Sequence, residues 1–285
     1  MKSKAIFYHA GCLDGGGQGR GMMRAPAIVA AALALAAPAV HAHDGRAHPQ
    51  DPSSERIAPS HDHTGGIRPA ADTAVQAPFD IVHAKIRTEG NVAIFHMAVS
   101  GRAGVTRPNA TGRFEGSSVF SYVWPTTIDP YEVGFERGAG ILALAVTSHP
   151  DFDDTPLFDE TRDGNLANDG GEWHMHWVVL GPDEACGANG LKVQDIPAGT
   201  SPRLPMTWPG APILLDSPGW QPNLSQEMVE VRVPFGDISI VETAGFDGVT
   251  AGLRVNESAH SPLLCVANVF KIASGDLSLP GRVNQ

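Results

Sequence analysis

From residue 79 onward, apolar and polar positions alternate in short runs of period two, broken by Gly, Pro, Asn and Asp, and helical periodicity is nearly absent. Val229, Val231 and Val233 interleaved with Glu230 and Arg232 read as a strand with one dry and one wet face. The pattern predicts strands over residues 80–87, 92–100, 118–124, 141–148, 172–180, 213–216, 228–234, 249–255 and 263–272. Thr88, Glu89, Gly90 and Asn91 form a hairpin turn between the first two. About nine short strands separated by turn signals predict an all-β chain, a single antiparallel β-sandwich, rather than an α/β fold. No internal repeat is present.

One stretch departs from this rhythm. Residues 149–171 carry Asp151, Asp153, Asp154, Asp159, Glu160, Asp163 and Asp169 against a single base, Arg162, with Gly164, Gly170 and Gly171 for tight turns. That is a long acidic loop, and compact domains seldom spend so many residues on a connection without a use for it. It runs into the predicted strand 172–180, where alternation places Glu172, His174 and His176 on one face. Trp173, Met175, Trp177 and Val179 take the other, which reads as core. A second long connection, residues 181–211, follows this strand, so two excursions flank the paired histidines.

The amino-terminal part has no strand period. Arg24 precedes an alanine-rich apolar run that ends in small residues at Ala39 and Ala42, the plan of a secretory signal with cleavage expected after Ala42. The run is too short to span a bilayer as a helix. The expected organisation is therefore a leader over 1–42, with the signal in about 22–42 and Met22 or Met23 as an alternative start. Residues 43–78, rich in Pro, Ser and Gly, are expected to be a disordered, histidine-bearing linker with His43, His48, His61 and His63. The sandwich follows over 79–275, and then a tail over 276–285.

The formal charge is −11, and the leader removes Lys2, Lys4, Arg20 and Arg24 against only Asp14, leaving the remainder more acidic still. Such a surface repels polyphosphates and anionic lipid and favours divalent cations, so nucleic acid is excluded as a partner. Of three cysteines, Cys12 falls in the leader; Cys186 and Cys265 are expected to pair in an oxidising compartment, the periplasm first.

Two histidines spaced two apart on a strand point their rings to one side, and neutral imidazole is a good ligand for Zn or Cu. His174 and His176 are the candidate ligands, with Glu172 as a third ligand or an orienting carboxylate and His149 or His96 as a fourth. His83 and His260 are more distant candidates. The competing reading makes the pair the solvent-facing side of an amphipathic strand, and His96 a satisfied core residue. Asp159, Thr161, Asp163, Gly164 and Asn165 outline the start of a calcium loop, which departs from the pattern at Gly170; Asp151, Asp153, Asp154 and Asp169 could supply further oxygens. A hydrated acidic loop is the alternative. No serine-nucleophile, P-loop or metalloprotease motif occurs.

Residues 79–101, beginning Phe-Asp-Ile-Val-His, resemble the opening hairpin of DOMON-type and family 9 carbohydrate-binding modules. Residues 229–238 and 248–256, a strand ending in Pro234 and a second ending in Asn256, resemble their closing strands. The resemblance covers about a quarter of the chain. It implies a β-sandwich that binds haem or carbohydrate, with Met97 or Met175 beside a histidine as axial ligands for haem. The residues themselves favour an exported metal-binding protein, not an enzyme; its partners would be metal ions and a small ligand or an exported protein. A metalloenzyme with Glu172 as general base is the further alternative.

Overall fold

The computed structural model describes residues 55–56, 63–256 and 262–285. Among the described residues thirteen antiparallel strands carry the fold: β1 (Ile81–Glu89), β2 (Val92–Val99), β3 (Ser118–Pro125), β4 (Ile141–Ser148), β5 (His174–Pro182), β6 (Leu191–Val193) and β7 (Leu215–Asp216), then β8 (Asn223–Ser225), β9 (Met228–Pro234), β10 (Gly245–Phe246), β11 (Val249–Val255), β12 (Leu264–Ile272) and β13 (Gly281–Arg282). Among the described residues no helix is long and apolar enough to cross a membrane. The β1–β2 hairpin turns at Gly90 and Asn91 as predicted, with Glu89 opposite Val92 and Gly90 at a φ of 60°.

The expected sandwich is only part of the architecture. One sheet has the order β1–β2–β9–β8, but the larger one closes on itself, β3–β4–β5–β6–β12–β11 and back to β3. The result is a six-stranded barrel with the four-stranded sheet packed on its outer wall. The reason lies in the wall strands. Tyr122, Trp124, Leu144, Met175 and Trp177 face outward and form one core with Phe95, Met97, Val229 and Val231. The alternate residues, Val119, Val123, Ala143, Ala145, Val178, Leu180, Val249 and Ala251, are apolar too and form a second core. A strand with no wet face must be covered on both sides, and curling the sheet around its own second face does this.

Closure is thinnest between β6 and β12, where Cys265 opposite Lys192 is the recorded pair. There the Cys186–Cys265 disulfide, across a separation of 79 residues, ties the start of the β6 excursion to β12. The cross-link expected from the cysteine count thus fastens the barrel seam.

The linker and tail also differ from expectation where they are described. Ile67 pairs with Ala84 on the outer edge of β1, with both N–H to O distances 2.9 Å. Arg56 and Lys271 reach the fully buried Asp80 at 2.6 and 2.5 Å. Val283 is buried and Asn284 donates its N–H to Ile86, so the last residues belong to the domain. An exposed strand edge offers free backbone groups to which polar, Gly-rich chain can bond without apolar residues of its own. His43, His48, His61 and His260, and the signal-like run, lie outside the described residues.

Candidate metal centre

β4 and β5 pair with Thr147 opposite His174 and Ala145 opposite His176. Alternation along β5 sends Trp173, Met175, Trp177 and Val179 into the inter-sheet core, as predicted, and His174 and His176 into the barrel. That second face is not solvent: both histidines are about 1% exposed. His149 follows β4 directly, its N–H bonded to the Gly170 carbonyl at 2.7 Å and its ring stacked on Phe152 at 4.1 Å. The acidic loop then brings Asp154 to the same point. Gly170 is required for this path, since a Cβ there would stand 1.6 Å from the Phe152 carbonyl oxygen.

The Nε2 atoms of His149, His174 and His176 lie 3.3, 3.3 and 3.2 Å from one oxygen, Oδ1 of Asp154. Nε2 of His149 and Nε2 of His174 are 2.9 Å apart, and all four donor atoms fall within 4.8 Å of one another. For metal–ligand bonds of about 2.0–2.1 Å, the edge of a tetrahedron is about 3.3 Å. The nitrogen–oxygen separations match that edge.

The opposite ring nitrogens decide the tautomers. His149 Nδ1 faces the Phe152 carbonyl and His174 Nδ1 the Glu172 carbonyl, each at 2.9 Å. Both carbonyls can only accept, so both Nδ1 atoms carry the proton. His176 Nδ1 lies 3.0 Å from Ser217 Oγ, whose own hydrogen goes to the Asp154 main-chain carbonyl at 2.7 Å. His176 Nδ1 is therefore a donor as well. Three Nε2 lone pairs and a carboxylate oxygen converge in a space that Thr147 Oγ1 enters only beside His174, at 3.2 Å. Converging acceptors are stable only with a proton or a cation between them.

The acid–base balance agrees. Burial pushes His174 down to about 4, with Asp154 opposing. Burial disfavours charge on His149 too, but the Asp154 carboxylate carries it above the ordinary imidazole value. Burial also works against the Asp154 charge, and the facing His176 and His149 rings hold the carboxyl well below its usual range. A proton held between His149 and Asp154 would fill part of the gap; a divalent ion would satisfy all four donors. His149, Asp154 and His176 also line a cavity of about 110 Å³ in the barrel, walled otherwise mainly by aliphatic side chains such as Val123, Val178 and Val249.

The other predicted residues are placed differently. Glu172 precedes β5 and turns to the surface, where its carboxylate takes both guanidinium nitrogens of Arg107 at 2.8 and 2.9 Å. It meets the site only through its main-chain carbonyl. His96 stands on the four-stranded sheet beside His83, away from the barrel centre. Met97 and Met175, the expected haem ligands, are packed in the inter-sheet core. Asp151 accepts from the Thr111 and Gly112 amides, Asp159 from that of Gly164, Asp163 from that of Asn165, and Asn165 from that of Ala167. Asp151 thus ties the loop to residues 111–112, 40 residues back, while Asp159, Asp163 and Asn165 close local turns, and together they do not form one cage. Asp153 and Asp169 do converge, with Glu160, into an acidic trio behind Asp154. Asp154, assigned from sequence to calcium, is the fourth donor of the histidine cluster, and Ser217 carried no sequence signal for its role.

Fold and site together define the class: an antiparallel β-barrel protein with a buried donor set of three imidazoles and one carboxylate. Comparison of the chain with family models, with curated proteins and with solved structures finds no match.

Proposed function

We propose that this is an exported transition-metal protein whose ion is held in the barrel by His149, His174, His176 and Asp154. The observation that carries the reading is the convergence of three Nε2 atoms on Asp154 Oδ1 with each Nδ1 proton committed elsewhere. Neutral imidazoles with one carboxylate suit Zn or Cu better than hard cations. Ser217 and the two main-chain carbonyls act as the outer partners that such ligands need. Export is supported by the signal-like run over 22–42 and by the disulfide, which persists in an oxidising compartment.

Two finer readings have an observation each. The trio of Asp153, Glu160 and Asp169 offers hard oxygen donors, and burial beside the two aspartates pushes the Glu160 carboxyl up, so calcium there would relieve a cost and brace the loop bearing Asp154. The cavity that meets His149, Asp154 and His176 is mostly apolar and comparable in size to engineered cavities that take a benzene-sized molecule. A small apolar compound in it would lie against the ion, which favours a metalloenzyme as the second reading.

The test is elemental analysis of the full chain purified without an affinity histidine tag, beside Asp154→Ala and His176→Ala variants that retain the β-sheet spectrum. The expected result is the loss of one transition-metal equivalent in each variant. Metal content equal to the parent's would overturn the proposal.

A further inference from the structure

On the face of the four-stranded sheet turned away from the barrel, three imidazoles from three segments meet. Alternation in β1 and β2 sends Ala84, Ile86, Phe95 and Met97 to the inter-sheet core, which leaves His83 and His96 on the opposite side. His63 comes from the segment lying along the β1 edge. The His63 and His83 rings stack at 4.9 Å, His83 and His96 stand edge to face at 5.3 Å, and His63 and His96 are 6.4 Å apart. One ring nitrogen of each lies within 4.8 Å of the other two.

Burial and tautomer narrow what this cluster can do. His83 is 1% exposed and His96 8%. His83 Nε2 faces the Gly65 carbonyl at 3.0 Å, so that nitrogen carries the proton and Nδ1 keeps a lone pair. Nδ1 of His83 and Nε2 of His63 are both buried without a hydrogen-bond partner. The nearby Lys85 ammonium is engaged by the Thr64 carbonyl at 2.9 Å. The stacked His63 and His83 rings, each with a buried nitrogen left unanswered, gain from a shared cation, and an all-nitrogen set selects Zn, Cu or Ni over Ca or Mg.

We propose that His63, His83 and His96 form a second transition-metal site that clips the amino-terminal segment to β1. Drawing donors that lie within 4.8 Å of one another to a tetrahedral edge of about 3.3 Å requires at most about 1.5 Å of adjustment. The half-buried His63 has room to make it. The bound ion would lock the backbone bonds beside it, Gly66 N–H to the Gln285 carbonyl at 2.7 Å and Ile67 N–H to the Ala84 carbonyl at 2.9 Å. The β1 edge is thereby closed in a metal-dependent way.

The experiment is zinc titration of the metal-free full chain by calorimetry, with amide hydrogen exchange at Gly66 and Ile67 as a second readout. The expected parent stoichiometry is one zinc more than that of His63→Ala, and His63→Asp, which keeps a zinc donor, restores the lost equivalent. With zinc at ten times its Kd, exchange at the two amides slows about tenfold in the parent and not in His63→Ala. Equal stoichiometry in the parent and His63→Ala overturns the clip, whatever happens at the barrel centre. A parent zinc lost in His63→Ala but kept in Asp154→Ala would sustain the clip and remove the barrel reading.

Discussion

Ser217 offers a sharp test of the barrel centre, because it touches no ion and yet governs two of the proposed ligands. Its hydroxyl accepts from His176 Nδ1 at 3.0 Å and donates to the Asp154 carbonyl at 2.7 Å, fixing one tautomer and one loop position together. Removing such an outer partner typically weakens metal binding 10- to 100-fold, about 1.4–2.7 kcal/mol. In a His63→Ala background, which leaves the barrel centre as the one zinc site, zinc at 100 times the parent Kd stabilises the parent by about 2.7 kcal/mol. In Ser217→Ala the same zinc contributes only about 0.4–1.4 kcal/mol. For a domain of this size each kcal/mol is about 2–4 °C, so the zinc-induced rise in Tm falls from about 5–11 °C to about 1–6 °C. The lost hydrogen bond also lowers the metal-free Tm, so the increment on adding zinc is what should be compared. Differential scanning calorimetry with and without zinc supplies it, and Ser217→Thr keeps the parent's increment. An unchanged increment in Ser217→Ala would refute the tautomer argument.

Three more outcomes are expected. Glu172→Gln breaks only the surface pair with Arg107 and leaves metal content at the parent's level; loss of metal would return Glu172 to the site. Replacing Cys186 and Cys265 by Ser costs about 4–5 kcal/mol in chemical denaturation, from the 79-residue separation, and raises amide exchange at Lys192 on the seam; protection there unaltered would show that the seam holds without the cross-link. Asp80→Ala strips the buried partner from Arg56 and Lys271 and costs about 3–5 kcal/mol. Burial opposes the Asp80 charge, but hydrogen bonds from Lys271, Ser100 and Arg56 hold its pKa below 3.8. Its contribution is therefore complete above the unfolded value and lost as pH falls through the folded one. Parent and variant should differ in stability at pH 7 and converge in strong acid, and an undiminished gap there would remove the linkage.

Much of the secondary structure was legible in the alternation. Strands over 141–148, 228–234 and 249–255 coincide with β4, β9 and β11: period two marks β9, and short apolar runs with β-branched residues between turn signals mark β4 and β11. The two- and three-residue strands β6, β8, β10 and β13 were not, because so short a run carries no period. The barrel had a trace in the near-continuous apolar runs of β3, β4 and β11, which lack the wet face a simple sandwich leaves outside.

What the sequence determined by itself was local. Extended backbone over 174–176 puts two imidazoles on one side, and Cys186 and Cys265 are two of the chain's three cysteines, the third, Cys12, lying far toward the start. The tertiary structure decided what those rings meet. It turned their face into a closed lumen, folded the acidic loop back so that Asp154 arrives 20 residues before His174, and set Ser217 against His176 from 41 residues away. It also moved Glu172 to the surface and laid the His63 segment on the sheet. Such meetings depend on which strands pair and how loops return across the barrel, and no spacing along a chain encodes a distance closed by packing.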